Sequence, residues 1–155
     1  MDNPFWDYSL AVYARDGVAD ALLALQDEFG LDVNMLLYAA WLADRGLQLD
    51  AAHLIPLETR VATWREQVIH PLRRLRRQWR DYPAAAALRE ALKALELQAE
   101  QSQQALMWEH FCTAIALPEA PGMLRHNLRL VAATGVCRPG WGEGALEPLL
   151  RALHP

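Results

Sequence analysis

Residues 32 to 46 read Asp-Val-Asn-Met-Leu-Leu-Tyr-Ala-Ala-Trp-Leu-Ala-Asp-Arg-Gly, and their reading decides the fold. Asp32 is a helix cap and Gly46 a stop. From Val33 to Ala43 only Asn34 is polar, so the helix they form is apolar on every side. Such a helix has to be surrounded by other helices. The expectation is an all-α, single-domain bundle over residues 1–155, of about six to seven helices, with this one buried at its centre.

Towards the N-terminus, Gly30 stands where a left-handed cap belongs, and Val18, Leu22, Leu25 and Phe29 make one face of a second helix. Asp16-Gly17 breaks the chain before it. Asn3-Pro4 is a helix start, an N-cap with proline at the first helical position, after which Trp6, Leu10 and Tyr13 recur at helical spacing. Towards the C-terminus, Leu47 to Ile55 reads as a connection with a short turn of helix. Leu57, Val61, Trp64, Val68, Leu72, Leu75 and Trp79 then form an amphipathic stripe. Pro71 lies inside that stripe and removes one hydrogen bond, but the pattern stays in register on both sides, which predicts a kink and not an end.

Pro83 opens a further helix with Leu88, Leu92 and Leu95 as its first apolar face, then a polar stretch from Glu100 to Gln104, then Trp108, Phe111, Cys112 and Ile115. Unbroken, it would be about 48 Å long, against about 39 Å for the width of a compact domain of this size. It is therefore expected to bend, to break near Ser102, or to project. Pro121 starts a helix to about Thr134, and a glycine-rich loop leads to a last one from about Ala145. No segment alternates like a strand.

Composition narrows the function classes. With 53% hydrophobic and 22% charged residues, the chain is globular and not disordered or fibrous. The start, MDNPFWDY, has no cationic segment followed by an apolar run, and the longest strongly apolar stretch is well short of the roughly 18 residues of a membrane span. A cytoplasmic protein without membrane association is expected. Cys112 and Cys137 have no CxxC spacing and no histidine at ligand distance, so no metal and no cofactor is expected, and both read as reduced thiols in or near the core.

Several motifs fail on context. Gly140-Trp141-Gly142-Glu143-Gly144-Ala145 has the spacing of a dinucleotide fingerprint, but no strand precedes it. The glycine between the second and third helices resembles a helix-turn-helix, yet the helix that would enter a groove has faces of Leu36, Leu37, Tyr38, Ala40 and Trp41 without one Arg or Lys. Asp16 and Asp20 form a DxxxD pair like the one that holds diphosphate in all-α isoprenoid synthases. No facing second motif exists, and a cap and a first-turn carboxylate account for both. Glu66 and His70 make an ExxxH pair, more often a surface ion pair than a metal or base site.

The net charge is −4, distributed unevenly: residues 1–50 carry 2 basic and 9 acidic side chains, residues 51–100 carry 9 and 6. The basic excess concentrates in Pro71-Leu-Arg-Arg-Leu-Arg-Arg-Gln-Trp-Arg80. On a helix, Arg73, Arg77 and Arg80 form a ridge with Arg74 beside them, opposite Leu72, Leu75 and Trp79. Either this is a solvated face balancing the acidic first third, or it docks an acidic protein surface or phosphates.

The segments Phe5-Trp6-Asp7-Tyr8-Ser9-Leu10, Leu22-Leu23-Ala24-Leu25-Gln26-Asp27, Asp32-Val33-Asn34-Met35-Leu36-Leu37, Trp41-Leu42-Ala43 and Pro71-Leu72-Arg73 resemble a family of short, uncharacterised proteobacterial proteins. The resemblance implies an all-helical fold and a bacterial cytoplasmic setting, and it brings no reaction. Its residues Trp6, Gln26, Asp27, Asn34 and Trp41 are candidates for a shared pocket, together with Tyr38 and His70.

No set of acid, base and nucleophile can be assembled, so the leading expectation is a non-enzymatic domain that binds another protein, as a homo-oligomer or through an acidic partner surface. The runner-up is a small-molecule binder or enzyme with a pocket near Asp27, Asn34, Tyr38 and His70. A nucleic-acid binder through Arg73, Arg74, Arg77 and Arg80 is the third. A concave pocket with buried polar residues would favour the second reading, a flat arginine-rich or apolar patch the first.

Overall fold

Punctuation in the sequence sets the element boundaries. In the computed structural model, which describes residues 2–135 and 138–154, Asn3 accepts a hydrogen bond from the Trp6 amide (3.1 Å) and Pro4 opens α1 (Pro4–Tyr13). Helix α2 (Val18–Phe29) runs into Gly30, whose φ of +70° is the left-handed geometry that ends it. Asp32 caps α3 (Val33–Asp44), and Asp50 caps α4 (Ala51–Trp64) by accepting from the His53 amide at 2.8 Å. Beyond lie α5 (His70–Gln78), α6 (Ala86–Thr113), α7 (Leu124–Thr134) and α8 (Glu147–Leu153). A π-helical turn, Arg65–Ile69, joins α4 to α5 without interruption, so the described residues form seven helical rods. Their one extended pairing is an isolated bridge between Leu47 and Glu119.

Helix α3 is the expected centre. Asn34 through Leu42 are all buried, enclosed by α1, α2, α6 and α7. Trp41 sits against Phe5, Tyr38, Trp108 and Phe111 with ring centroids 4.9 to 5.9 Å apart, and the Arg45 guanidinium closes the cluster 5.1 Å above its ring. Asn127 ties α7 down: its amide nitrogen donates to the Ala39 and Leu47 carbonyls, and its Oδ1 accepts from the Leu49 amide at 2.9 Å.

The structure corrects several expectations. The helix expected from Leu57 already begins at Ala51, because Asp50 supplies a cap and Pro56 is accommodated inside it. At Pro71 the irregularity is the π turn just upstream. The His70 amide bonds to the Arg65 carbonyl, and the widened turn gives room to a proline ring that would press on the Gln67 carbonyl. Helix α6 is not broken at Ser102. It runs for 28 residues, about 42 Å, and the polar stretch is where it crosses the core, with Gln103 and Gln104 buried. Of its expected first face only Leu92 is buried, while Leu88 and Leu95 are exposed. Helix α7 starts at Leu124, three residues after Pro121.

Helix α1 packs through Phe5, Ser9 and Val12, leaving the Trp6, Leu10 and Tyr13 stripe on the open side, with Leu10 53% exposed. Cys112 is exposed and not a core thiol; Cys137 lies outside the described residues. No helix among the described residues is long and apolar enough to cross a membrane.

Candidate ligand-binding cleft

The C-terminal end of α2, the start of α3, the π turn, α5 and the middle of α6 converge on one cleft. Its geometry begins at Asp32. Oδ1 of this carboxylate accepts from the Asn34 and Met35 amides at 2.8 and 3.3 Å. Oδ2 accepts from Arg65 Nε at 2.5 Å and from Gln103 Nε2 at 2.9 Å. Burial alone would raise its pKa, but Arg65, Gln103 and the Met35 amide outweigh that and hold it below the usual value. Arg65 completes its fork on Glu58 with two bonds of 2.5 and 2.9 Å. One carboxylate therefore fastens the start of α3 to the π turn and to α6.

A second ionic cluster fastens α5 to α6. Glu96 accepts from Arg76 Nε at 2.5 Å and from Arg73 Nε at 3.2 Å, and Arg73 Nη2 reaches Glu100 at 3.3 Å. Burial opposes ionisation of Glu96, yet Arg76 and Arg73 keep its pKa low. Glu100 goes the other way: burial, together with the charges of Glu96 and Asp32, raises it despite Arg73.

Between these clusters opens a cavity of about 440 Å³ lined by Arg65, Arg73, Arg74, Arg77 and Arg138, by the carboxylates of Asp27, Asp32 and Glu100, and by Gln26, Asn34, His70 and Gln103, among others. Arg65 and Arg73 are committed to buried or partly buried carboxylates. Arg77 pairs with Asp27 at 2.8 Å, but both side chains are about half exposed. Arg74 has no hydrogen-bonded or ion-paired partner among the described residues. Arg138 donates one nitrogen to the Asp27 carbonyl at 3.1 Å, leaving the rest of its fork unassigned. Burial, then Arg73 and Arg65, depress the pKa of His70, so this wall is neutral imidazole near pH 7. The free hydrogen-bonding capacity of the cleft is thus donor-rich and cationic.

The structure brings together Gln26, Asp27, Asn34 and His70 with Arg73, Arg74 and Arg77 on this one cavity. Trp6 lines an adjoining groove, and Arg80 lies off both. Arg73 is turned inward and does not share the exposed face of Arg74, Arg77 and Arg80. Tyr38 and Trp41 line neither opening: they are core residues, and the Tyr38 hydroxyl meets His53 Nε2 at 2.7 Å instead of approaching His70. Glu66 and His70 share no hydrogen bond, and among the described residues no three His, Cys, Asp or Glu side chains gather in a way that could hold a metal ion.

Arg65, Gln103, Glu100 and Arg138 were not among the residues singled out from the sequence. Arg65 and Gln103 are separated by 38 positions and meet only through Asp32, which has the ordinary appearance of a cap. Arg138 stands just before the glycine-rich approach to the last helix and carries no local signal.

Fold and site together define an all-α bundle with an arginine-lined cleft between its helices. The chain belongs to the family described as Protein of unknown function (DUF2390), whose model matches residues 4–107. That span contains every cleft residue named above except Arg138. No curated protein and no solved structure matches the chain.

Proposed function

We propose that the chain binds a small organic anion, a carboxylate or a phosphate, in the cleft formed by α2, α3, α5 and α6. One observation carries this reading: Arg74 and Arg77 border a concave site with their charges unmatched or matched only by the half-exposed Asp27. Guanidinium forks suit both anion types bidentately. The concavity and the buried Asn34 and Gln103 favour a pocket ligand over the flat patch that a protein partner would need. The exposed Cys112 thiol supports a reducing, cytoplasmic setting.

Calorimetric titration with inorganic phosphate and with citrate tests the reading. Saturable heat is expected for at least one of them, abolished in R74E/R77E. A general rise in melting temperature is not sufficient, because phosphate also stabilises proteins by exclusion from their surface. No saturable heat in the parent overturns the reading, as does undiminished binding by the double variant.

Docking of an acidic protein surface, including a second copy of the chain, is the second reading, favoured by the exposure of Arg74, Arg77 and Arg80 on one side of the molecule. Arg80 separates the two. R80E would impair a docked partner and leave a cleft-bound anion unaffected. Nucleic-acid binding would add a steep loss of affinity with salt.

A further inference from the structure

The cleft does not end at Arg73. A second depression of about 420 Å³ adjoins it, and the two share Gln26, Val33, Asn34, Arg73 and Glu100. Its character is different: the surface it offers is mainly apolar, with Trp6, Leu10, Tyr13, Leu23, Leu37 and Leu97 on it beside Arg76, Lys93 and Glu96. Leu10 and Leu97 are each just over half exposed, and Tyr13 and Leu23 are also exposed, so an apolar surface is left open along α1, α2 and α6. On its floor lies Gln104, 1% exposed, whose Nε2 donates to Ser9 Oγ and Asn34 Oδ1 at 3.0 Å each. Its buried Oε1 has no hydrogen-bond partner among the described residues. An apolar trough that continues a cationic cleft is complementary to a molecule with two unlike ends.

We propose that the ligand is an amphipathic anion whose charged head lies by Arg74 and Arg77 and whose apolar chain or ring lies along Trp6, Leu10, Tyr13 and Leu97. This deepens the anion-binding reading and rests on it. The order of the two ends follows from charge. The cations that border the trough are already paired, Arg73 and Arg76 with Glu96 and Glu100 and Lys93 with Glu90, whereas on the cleft Arg74 has no partner among the described residues and Arg77 only the half-exposed Asp27.

Calorimetry with ethyl phosphate and hexyl phosphate on the full chain tests this. The head group is the same, so any difference reports the trough. Hexyl phosphate is expected to bind about tenfold tighter or more, because burial of only two methylenes gives that factor, and to show the more negative heat-capacity change of apolar burial. L10E/L97E, at two exposed positions, should keep the parent circular dichroism spectrum and its affinity for ethyl phosphate while losing the hexyl advantage. Equal affinity for the two phosphates, or a hexyl advantage that survives L10E/L97E, overturns the amphipathic inference and leaves anion binding standing. Absence of binding by both phosphates and by citrate, or hexyl binding undiminished in R74E/R77E, overturns both, while citrate binding with neither phosphate bound overturns the amphipathic inference alone. Capture of an acidic, aromatic-rich peptide by a chain that ignores hexyl phosphate would assign the trough to a protein partner and also overturn the inference.

Discussion

Asp32 satisfies four donors with one carboxylate, and the cleft depends on it more than on any arginine. Asp32→Asn retains a side chain able to cap α3 but removes the charge that Arg65 faces at close range. A loss of about 3 kcal/mol in urea denaturation is expected, at the level of a broken, partly buried ion pair and above that of a cap alone. Its folded pKa lies below the unfolded value, so its contribution is present above the unfolded pKa and fades as pH falls through the folded one. His53 acts at higher pH. Burial, followed by the neighbouring His110, lowers it to about 4 from 6.5, so the unfolded chain takes the proton first and stability declines as pH drops from 6.5 towards 4. The loss should be on the order of 2 kcal/mol after allowance for solvent screening, and denaturant midpoints measured across that window should flatten in His53→Gln. Asn34 stood out in the sequence as the lone polar residue of an apolar helix. Gln104, its partner, did not, since a glutamine in a polar stretch looks solvated until the fold buries it.

At the scale of elements, helix existence was legible wherever a cap, a glycine or a proline punctuated the chain, as at Asn3-Pro4, Gly30 and Asp32. Which face packs was less legible. In α1 both Phe5, Ser9, Val12 and Trp6, Leu10, Tyr13 satisfy helical spacing, and the larger aromatic stripe is the one left open because Phe5 is needed against Tyr38 and Trp41. Paired truncations test this assignment. Trp41→Ala, at the centre of the aromatic cluster, should cost about 3 to 5 kcal/mol, while Leu10→Ala should cost less than about 1 kcal/mol because its side chain is already in solvent. A large loss at Leu10 would place the packed face of α1 on the other side. The π turn was not legible either: Pro71 marked an irregularity, but only the widened turn at Arg65–Ile69 shows how the helix absorbs it and brings Arg65 to Asp32.

For the whole molecule, the polarised charge pattern of the sequence finds a more local use than steering alone. Basic α5 is met mainly by Glu96 and Glu100 of α6, and the acidic first third contributes Asp27 to Arg77 and Asp32 to Arg65. The arginine cluster was visible in sequence as a ridge. Its division into inward members held by buried or partly buried carboxylates and outward, exposed ones was not, because it depends on carboxylates 20 or more positions away on another helix. Gln26, Asp27, Asn34 and His70 line one cavity, while Tyr38 went to the core, where its hydroxyl finds His53. The central claim is that this cleft holds an anion. Backbone amide chemical shifts of the isotopically labelled chain, followed during titrations with phosphate and with citrate, test it most directly, at least one of the two being expected to saturate. The account expects saturating shifts at Gln26, Asp27, Asn34, His70, Arg74 and Arg77, with Arg80 and the far end of α6 unmoved. Shifts that do not saturate, or that spread over the exposed arginines without favouring the cleft, would contradict it.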